Sequence, residues 1–467
     1  MFEISRTSAV PLVDQIVERI TKLARHGQLP EGSRIPSIRK LAKLIGASPF
    51  TVVDAYDRLV ARGVIESRAG RGFFVSRRKS VPALPVIETS ADPGADALAL
   101  ARASLVSHGE IVAAGSGFLP AAWYAEALPS NVLARLSHQR RPQAWAPCPP
   151  QGLAELREQL AERLVQRGIA CGPANVVTTF GASQAFDLLA RILFAPGDTV
   201  LVEDPGYFVL FEQLRAHHVN LVAVPRRSNG PDLEALEAAC RAHRPRAFFT
   251  QTLLHNPTGT SAEPAVCHRI LSLAETYGLA LIEDDVYGDL YEGPAVRLAQ
   301  LDGLRHVTYV GSFTKLLGPG LRLGFVAADA RLVTQLVERK ILSLLSGSAL
   351  LESLLSEALD SGRVMRHAEA VRTRLARMRR DAQAALESAG IGFDGPSGEG
   401  IFMWGRVPDG TDVDALVRRA REKSILLANG ALFSPARAGN ARLRFNAAFS
   451  AAPELVRFLT ESVRHAA

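Results

Sequence analysis

The 467-residue chain predicts two unlike folds in series: an amino-terminal winged helix-turn-helix, then an α/β body with a mostly parallel sheet that ends in a smaller α+β domain. Three observations carry this expectation. Charge is segregated, because residues 1–80 hold 15 Lys and Arg against 7 Asp and Glu while the remaining 387 hold 39 against 40. Helical periodicity dominates the first 62 residues, whereas the body alternates apolar β-branched runs with helical patterns, as βαβ units do. Several of those runs end in a turn bearing a polar side chain, and open parallel sheets bind ligands at the carboxyl ends of their strands.

From the amino terminus, Pro11 to His26 is amphipathic, with Leu12, Ile16, Ile20 and Leu23 on one face. Ser37 to Ile45 forms a short second helix, Gly46 supplies a turn, and Ser48 caps a third helix running to about Arg62. Two short helices around a glycine turn make a helix-turn-helix, whose second helix enters the major groove. The following VIESRAGRGFFV has two strand-like arms around Gly70-Arg71-Gly72, which is the pattern of a wing. A basic module on a neutral body is the electrostatic footprint of nucleic-acid binding rather than of an enzyme for acidic substrates. The competing reading is a basic three-helix bundle for protein contact.

Between the wing and Gly117 the chain is rich in Ala, Pro, Ser and Asp, and contains Val81-Pro82-Ala83-Leu84-Pro85. It reads as a linker, about 35 residues with a reach on the order of 30 Å, which a helical stretch around Ala97 to Ser107 would shorten. The expected domains are 1–76 for DNA binding, 77–116 as linker and 117–467 as the body, its small domain covering approximately 345–467. No apolar run approaches the roughly 18 residues of a membrane span, and the start lacks the apolar core of a signal peptide. Cys148, Cys171, Cys240 and Cys267 lack paired metal spacing; they read as reduced thiols of a cytoplasmic protein, with no metal site.

In the body, Thr179 to Leu189 (TFGASQAFDLL) passes from a strand through Gly181 into a helix. Free backbone N–H groups at a helix start hold anions, which makes Ala182 and Ser183 candidate phosphate contacts. Glu203-Asp204-Pro205-Gly206-Tyr207 is a turn ending on an aromatic, and His255-Asn256-Pro257-Thr258-Gly259 is a sharp turn after the strand-like AFFTQT. Residues 280–290, ALIEDDVYGDL, form an apolar strand closing on Glu283, Asp284 and Asp285, with Tyr287 beyond. A solvated acidic strand cap is the plainer reading of that triplet.

The most informative run is Tyr309 to Gly324, YVGSFTKLLGPGLRLG. A strand delivers Ser312 and Lys315 to a turn opened by Gly318, Pro319 and Gly320, and Arg322 follows on a second apolar strand. An imine-forming lysine needs a rigid wall beside a hydroxyl and a guanidinium that hold a phosphate, so the cofactor implied is pyridoxal 5′-phosphate. Asp284 would then keep the pyridine nitrogen protonated, and Tyr287 would hydrogen-bond the ring hydroxyl. An ordinary exposed loop lysine is the alternative. Near the carboxyl end, Ala441 to Ala447 (ARLRFNA) sets Arg442 and Arg444 on one face of a strand.

Together these motifs resemble the fold-type I, aspartate-aminotransferase-like superfamily over roughly the last three quarters of the chain. The resemblance implies that Tyr207 stacks on the cofactor ring and Asn256 donates to its oxygen. It implies that Ala182, Ser183, Ser312 and Arg322 hold the phosphate. Arg442 would take the α-carboxylate of a substrate or effector in a bidentate geometry that lysine cannot give. Trp145 stands where the family usually has a Tyr that reaches the phosphate across a dimer, and tryptophan has no hydroxyl.

Arg34-Ile-Pro-Ser-Ile-Arg39, Ala47-Ser-Pro-Phe-Thr-Val52 and Tyr56-Asp-Arg-Leu59 resemble the DNA-binding domain of the GntR family. That implies Arg34, Ser37, Arg39, Ser48, Thr51 and Tyr56 facing DNA, chiefly phosphates, with Arg68 and Arg71 on the wing; Pro49 replaces an Arg that many relatives carry. In this order, the two resemblances point to the MocR-like branch of GntR regulators. The branch implies a homodimer that binds double-stranded DNA and senses an amino compound, or the cofactor itself, through an aldimine on Lys315. The alternative is an active aminotransferase with an attached DNA-binding domain.

Overall fold

An amphipathic helix must bury its apolar stripe, and three helices at the amino terminus do so against one another: α1 (Leu12–Arg25), α2 (Ile38–Ile45) and α3 (Pro49–Ala61). The computed structural model describes residues 10–25, 28–76, 97–106, 111–128, 146–394, 398–438 and 441–464. It divides into two units, Met1–Thr89 and Ser90–Ala467. In the first, Ile16, Ile20, Leu41, Val52 and Leu59 share a core with Ile65 and Val75 of the hairpin β1 (Ile65–Arg68) and β2 (Gly72–Val75). Ser37 and Ser48 cap α2 and α3 by accepting from the backbone N–H groups of Lys40 and Thr51. Arg34 bridges to Phe74, which ties the hairpin to the helices as a wing.

Tyr56 corrects one expectation. It does not face DNA: it is fully buried, its hydroxyl donates to Pro36 O at 2.7 Å, and its ring meets Phe73 edge-on at 4.8 Å. Val52, Tyr56 and Leu59 lie four and three residues apart, which is the spacing of the buried stripe of α3. Arg68 folds back onto its own wing, bonding Glu66 Oε1 and lying 4.5 Å over the Phe74 ring. Arg34, Arg39 and Arg71 are exposed, while Thr51 is half-buried and shares a 2.8 Å hydrogen bond with Ser48.

The second unit is built on an eight-stranded sheet. Its strands are β3 (Val176–Thr179), β4 (Thr199–Asp204), β5 (Asn220–Arg227), β6 (Gly230–Pro231), β7 (Ala247–Thr250), β8 (Ala280–Asp284), β9 (Val307–Ser312) and β10 (Gly324–Ala327). They lie in the order β3-β10-β9-β8-β7-β4-β5-β6. From β9 to β5 every pairing is parallel, whereas β10 and β6 run antiparallel to their neighbours. Two separate apolar clusters draw on these strands, which is why VVTT, AFFT and GFVA are buried throughout and do not alternate. Parallel strands end at one edge, so Asp204, Thr250, Asp284 and Ser312, distant in sequence, are all strand-terminal residues there.

A second sheet, antiparallel in the order β11-β13-β12, comprises β11 (Phe402–Arg406), β12 (Ala428–Asn429) and β13 (Arg442–Asn446). The segment before Gly117 feeds this part of the fold instead of ending as linker. Helix α4 (Ala97–Val106) buries Ala97 and Leu100 in a cluster with Phe208, Leu426 and Phe433. Val112 then pairs in parallel with Ile425, and Gly115 N donates to Leu426 O at 2.6 Å. The linker expected over 77–116 therefore gives way to the body by Ala97, because ALALARASLV has apolar side chains to bury. Residues 77–96 and Trp145 lie outside the described residues. No helix among the described residues is long and apolar enough to cross a membrane.

Candidate cofactor and ligand site

At the carboxyl edge of the parallel strands lies a cavity of about 430 Å³. Ala182, Ser183, Tyr207, Asn256, Asp284, Tyr287, Ser312, Lys315 and Arg322 all line it, although 140 residues of sequence separate the first from the last. Lys315 sits in the short helix Thr314–Leu317 just past β9; its Nζ donates to Gly117 O at 3.0 Å and lies 4.3 Å from the centre of the Phe118 ring. Burial, with Arg444 nearby, holds its ammonium down to about 7, against 10.5 for an ordinary lysine, and Asp284 opposes the shift. A large neutral fraction near neutral pH is what a nucleophilic amine requires.

Asp284 ends β8 almost completely buried, and desolvation raises its carboxyl to about 7, with Lys315 pulling the other way. Sequence reasoning missed the residue that orients it. Gln251 Nε2 donates to Asp284 Oδ2 at 2.8 Å, Gln251 Oε1 accepts from Asn256 N at 2.8 Å, and Gln251 N donates to Glu203 Oε1 at 2.8 Å. Glu203 is itself buried against Arg226 and Thr250. Gln251 belongs to the strand-like AFFTQT, and only its place at the end of β7 distinguishes it from any other glutamine.

The phosphate candidates converge from two strand ends. The helix Gly181–Leu193 starts with no side-chain cap, so its first-turn N–H groups have no hydroxyl or carboxylate of the preceding residue bonded to them. Arg322 Nη2 donates to Phe180 O at 3.0 Å, and Ser312 Oγ donates to Leu323 O at 3.2 Å while accepting from Thr314 N. Gly181 adopts φ +74, and a β-carbon there would approach Arg322 Nη2 to 3.0 Å. Burial raises the Tyr207 hydroxyl to about 12 and pushes that of Tyr287 well above 10. Both are therefore protonated hydrogen-bond donors at neutral pH.

Arg442 is the second correction. It lies outside this cavity and pairs with Asp394, whereas Arg444 is 2% exposed and lines the cavity. Register explains the difference: Arg442 is opposite Arg406 at the far end of β13, while Arg444 is opposite Trp404 and Ala428. The Arg444 guanidinium lies 4.6 Å and 4.8 Å from the ring centres of Phe402 and Phe433. It donates to Asn256 Oδ1 at 2.9 Å and Gly115 O at 2.7 Å, but its buried Nε has no partner among the described residues. Leaving such a donor unpaired costs about 1–3 kcal/mol, a cost that an incoming acceptor would relieve.

A lysine, a buried carboxyl, an uncapped helix start and a buried guanidinium on one cavity define an aminotransferase-like body, here preceded by a winged helix. The description "Aminotransferase class I and II" matches residues 115–460, and "Bacterial regulatory proteins, gntR family" matches residues 12–75. The uncharacterized HTH-type transcriptional regulator YdcR of Escherichia coli is 30% identical over 449 residues, 93% of this chain and 94% of that protein. The probable rhizopine catabolism regulatory protein MocR of Rhizobium meliloti is 28% identical over 344 residues, 71% and 68% of the two chains. Similarity extends to enzymes. The structure of the α-aminoadipate aminotransferase LysN of Thermus thermophilus, complexed with N-(5′-phosphopyridoxyl)-L-leucine, has 29% identity and a TM-score of 0.71, covering 78% of this chain and 94% of that one. The chain belongs to the MocR-type GntR regulators, in which a DNA-binding helix-turn-helix is fused to an aminotransferase-like body. The cofactor of that fold is pyridoxal 5′-phosphate. The residues present fit it: Gly181 leaves the cradle beside Arg322 free of a β-carbon, and the lowering of the Lys315 ammonium to about 7 leaves a substantial neutral fraction at neutral pH.

Proposed function

We propose that the protein is a cytoplasmic, homodimeric regulator whose affinity for DNA depends on what is held at Lys315. When bound, pyridoxal phosphate supplies an aldehyde for reversible attachment and a ring that withdraws electrons. The first turn of Gly181–Leu193 (Ala182 and Ser183), with Ser312 and Arg322, would hold its phosphate, and Asp284, fixed by Gln251, would hold a proton at the ring nitrogen. Asn256 Nδ2 and the Tyr287 hydroxyl are the donors left for a ring oxygen, since Asn256 Oδ1 is taken by Arg444. Arg444 offers its unpaired Nε to a ligand carboxylate. Ala101, Leu105, Phe118, Phe208 and Val209 make up much of the remaining wall, which suits an amino acid with an apolar side chain.

The observation that carries this reading is the place of α4. Its residues Ala101, Ser104 and Leu105 line the same cavity as Lys315, and α4 is the first described element after the segment leading from the winged helix. A ligand that binds one arrangement of α4 better than another would shift the population of that arrangement, the only way a ligand can alter a distant equilibrium. The rival reading, a working aminotransferase, is favoured by the similarity to transaminases; 2-aminoadipate transaminase of Thermus thermophilus is 32% identical over 332 residues. Absorbance spectra separate the two. An enzyme converts its cofactor stoichiometrically to the pyridoxamine form with a donor amino acid and back with an oxo acid, whereas the proposed regulator changes DNA affinity at ligand concentrations where no such conversion accumulates.

Gly181→Ala tests the phosphate cradle. The added β-carbon approaches Arg322 and should weaken cofactor binding on the order of ten-fold, about 1.4 kcal/mol, while left-handed backbone strain of about 1–2 kcal/mol lowers the stability of the folded protein with or without cofactor. Titration with pyridoxal phosphate measures the change, and pyridoxal without phosphate should be affected much less.

A further inference from the structure

Phe50 is the most exposed large apolar side chain among the described residues, at 86%. It is the second residue of α3, the second helix of the helix-turn-helix, and residues at the start of that helix meet base edges in the major groove. The first turn of α3 reads Pro49-Phe50-Thr51-Val52 and carries no charged side chain. Its polar groups are engaged locally: Ser48 Oγ accepts from Thr51 N at 3.1 Å and shares a 2.8 Å hydrogen bond with Thr51 Oγ1. One turn further on, Val53 is also exposed, at 37%. Purine edges are read by forked donors such as Arg, Asn or Gln, and the start of α3 has none. The one apolar feature of the major groove is the C5-methyl group of thymine.

We infer that Phe50, with Val53 beside it, reads thymine methyl groups, so that the preferred half-site carries thymine where a forked side chain would select a purine. The occupant is double-stranded DNA because this exposed apolar tip belongs to the basic first 80 residues, where Arg39, Lys40 and Lys43 of α2 are also exposed and suited to phosphates. Division of labour follows. Basic side chains set affinity for any duplex, and the apolar tip sets preference among duplexes. The inference rests on the DNA-binding function of the winged helix and adds what that domain reads.

The test uses full-length protein with its cofactor and a duplex that the protein selects from a random pool. Each thymine of the selected half-site is replaced in turn by deoxyuridine, which removes only the methyl group, and affinity is followed by fluorescence anisotropy. One or two positions should each lose about four-fold in affinity, the value of one buried methyl group. Phe50→Ala should bind the thymine and uracil duplexes alike at those positions and bind non-specific DNA as the wild type does. Phe50→Leu should keep part of the discrimination. Discrimination that survives in Phe50→Ala, or no effect of uracil at any position in a duplex still bound specifically, would overturn this inference alone. Failure to select any sequence would overturn it together with the DNA-binding reading beneath it.

Discussion

Lys315→Ala should abolish covalent capture of pyridoxal phosphate. Wild-type protein incubated with the cofactor should gain a visible absorbance band, and reduction with borohydride should leave the cofactor's mass on the peptide containing residue 315. The variant should show neither, while retaining weaker, non-covalent binding through the helix start at Gly181 and through Arg322. pH sharpens the prediction. Because the folded protein lowers the Lys315 ammonium to about 7, the nucleophilic fraction grows as pH rises towards 7 and saturates above it. The capture rate should follow that curve, whereas a lysine at the ordinary 10.5 would keep accelerating through pH 9. Capture that is unchanged in Lys315→Ala, or a rate still rising steeply above pH 9, contradicts the site.

The second large effect distinguishes two arginines separated by one residue. Arg444→Gln should weaken binding of a carboxylate-bearing amino acid by about 3 kcal/mol, on the order of a hundred-fold, since it removes a buried charge-assisted contact. Arg442→Gln should leave that affinity within about two-fold, because its guanidinium pairs with Asp394 outside the cavity. Arg444→Lys keeps the charge but lacks the planar fork, and it should recover only part of the loss. Calorimetric titration of the cofactor-loaded protein measures all three. The reverse ranking of Arg442 and Arg444 would return the carboxylate role to the position favoured by sequence motif.

These two arginines mark where the sequence stops being informative. Period-two alternation puts both on one strand face, but which of them reaches the cavity depends on how β13 registers against β11 and β12, a tertiary fact. Lys315, Asp284 and Asn256 line one cavity, as their positions in the sequence suggest: Asp284 is the last residue of an apolar strand, and Lys315 and Asn256 follow apolar strands at turns containing Gly and Pro. The winged helix was legible from its caps and charge. The motif around Tyr56 points to DNA, whereas the spacing of Tyr56 from Val52 and Leu59 marks the buried stripe of α3, and in the fold the stripe prevails. Gln251 left no signal, since an amide that braces a carboxylate is locally indistinguishable from one in solvent. Composition makes 77–116 read as a linker with a helical stretch near Ala97 to Ser107, yet α4 and Val112 join contacts with Leu426 and Ile425 that only the folded chain brings near.

The most direct test of the account measures DNA affinity by anisotropy for cofactor-loaded wild type and Lys315→Ala, each across a panel of amino acids with apolar, polar and charged side chains. The account predicts that at least one apolar amino acid shifts the wild-type affinity several-fold, and that the same amino acid has no effect on Lys315→Ala. Coupling between two sites is worth about 1–3 kcal/mol, which is well within reach of the measurement. If the panel instead drives the wild-type cofactor to its pyridoxamine form while DNA affinity stays constant, the body is an enzyme beside a DNA-binding domain, and the regulatory reading is contradicted.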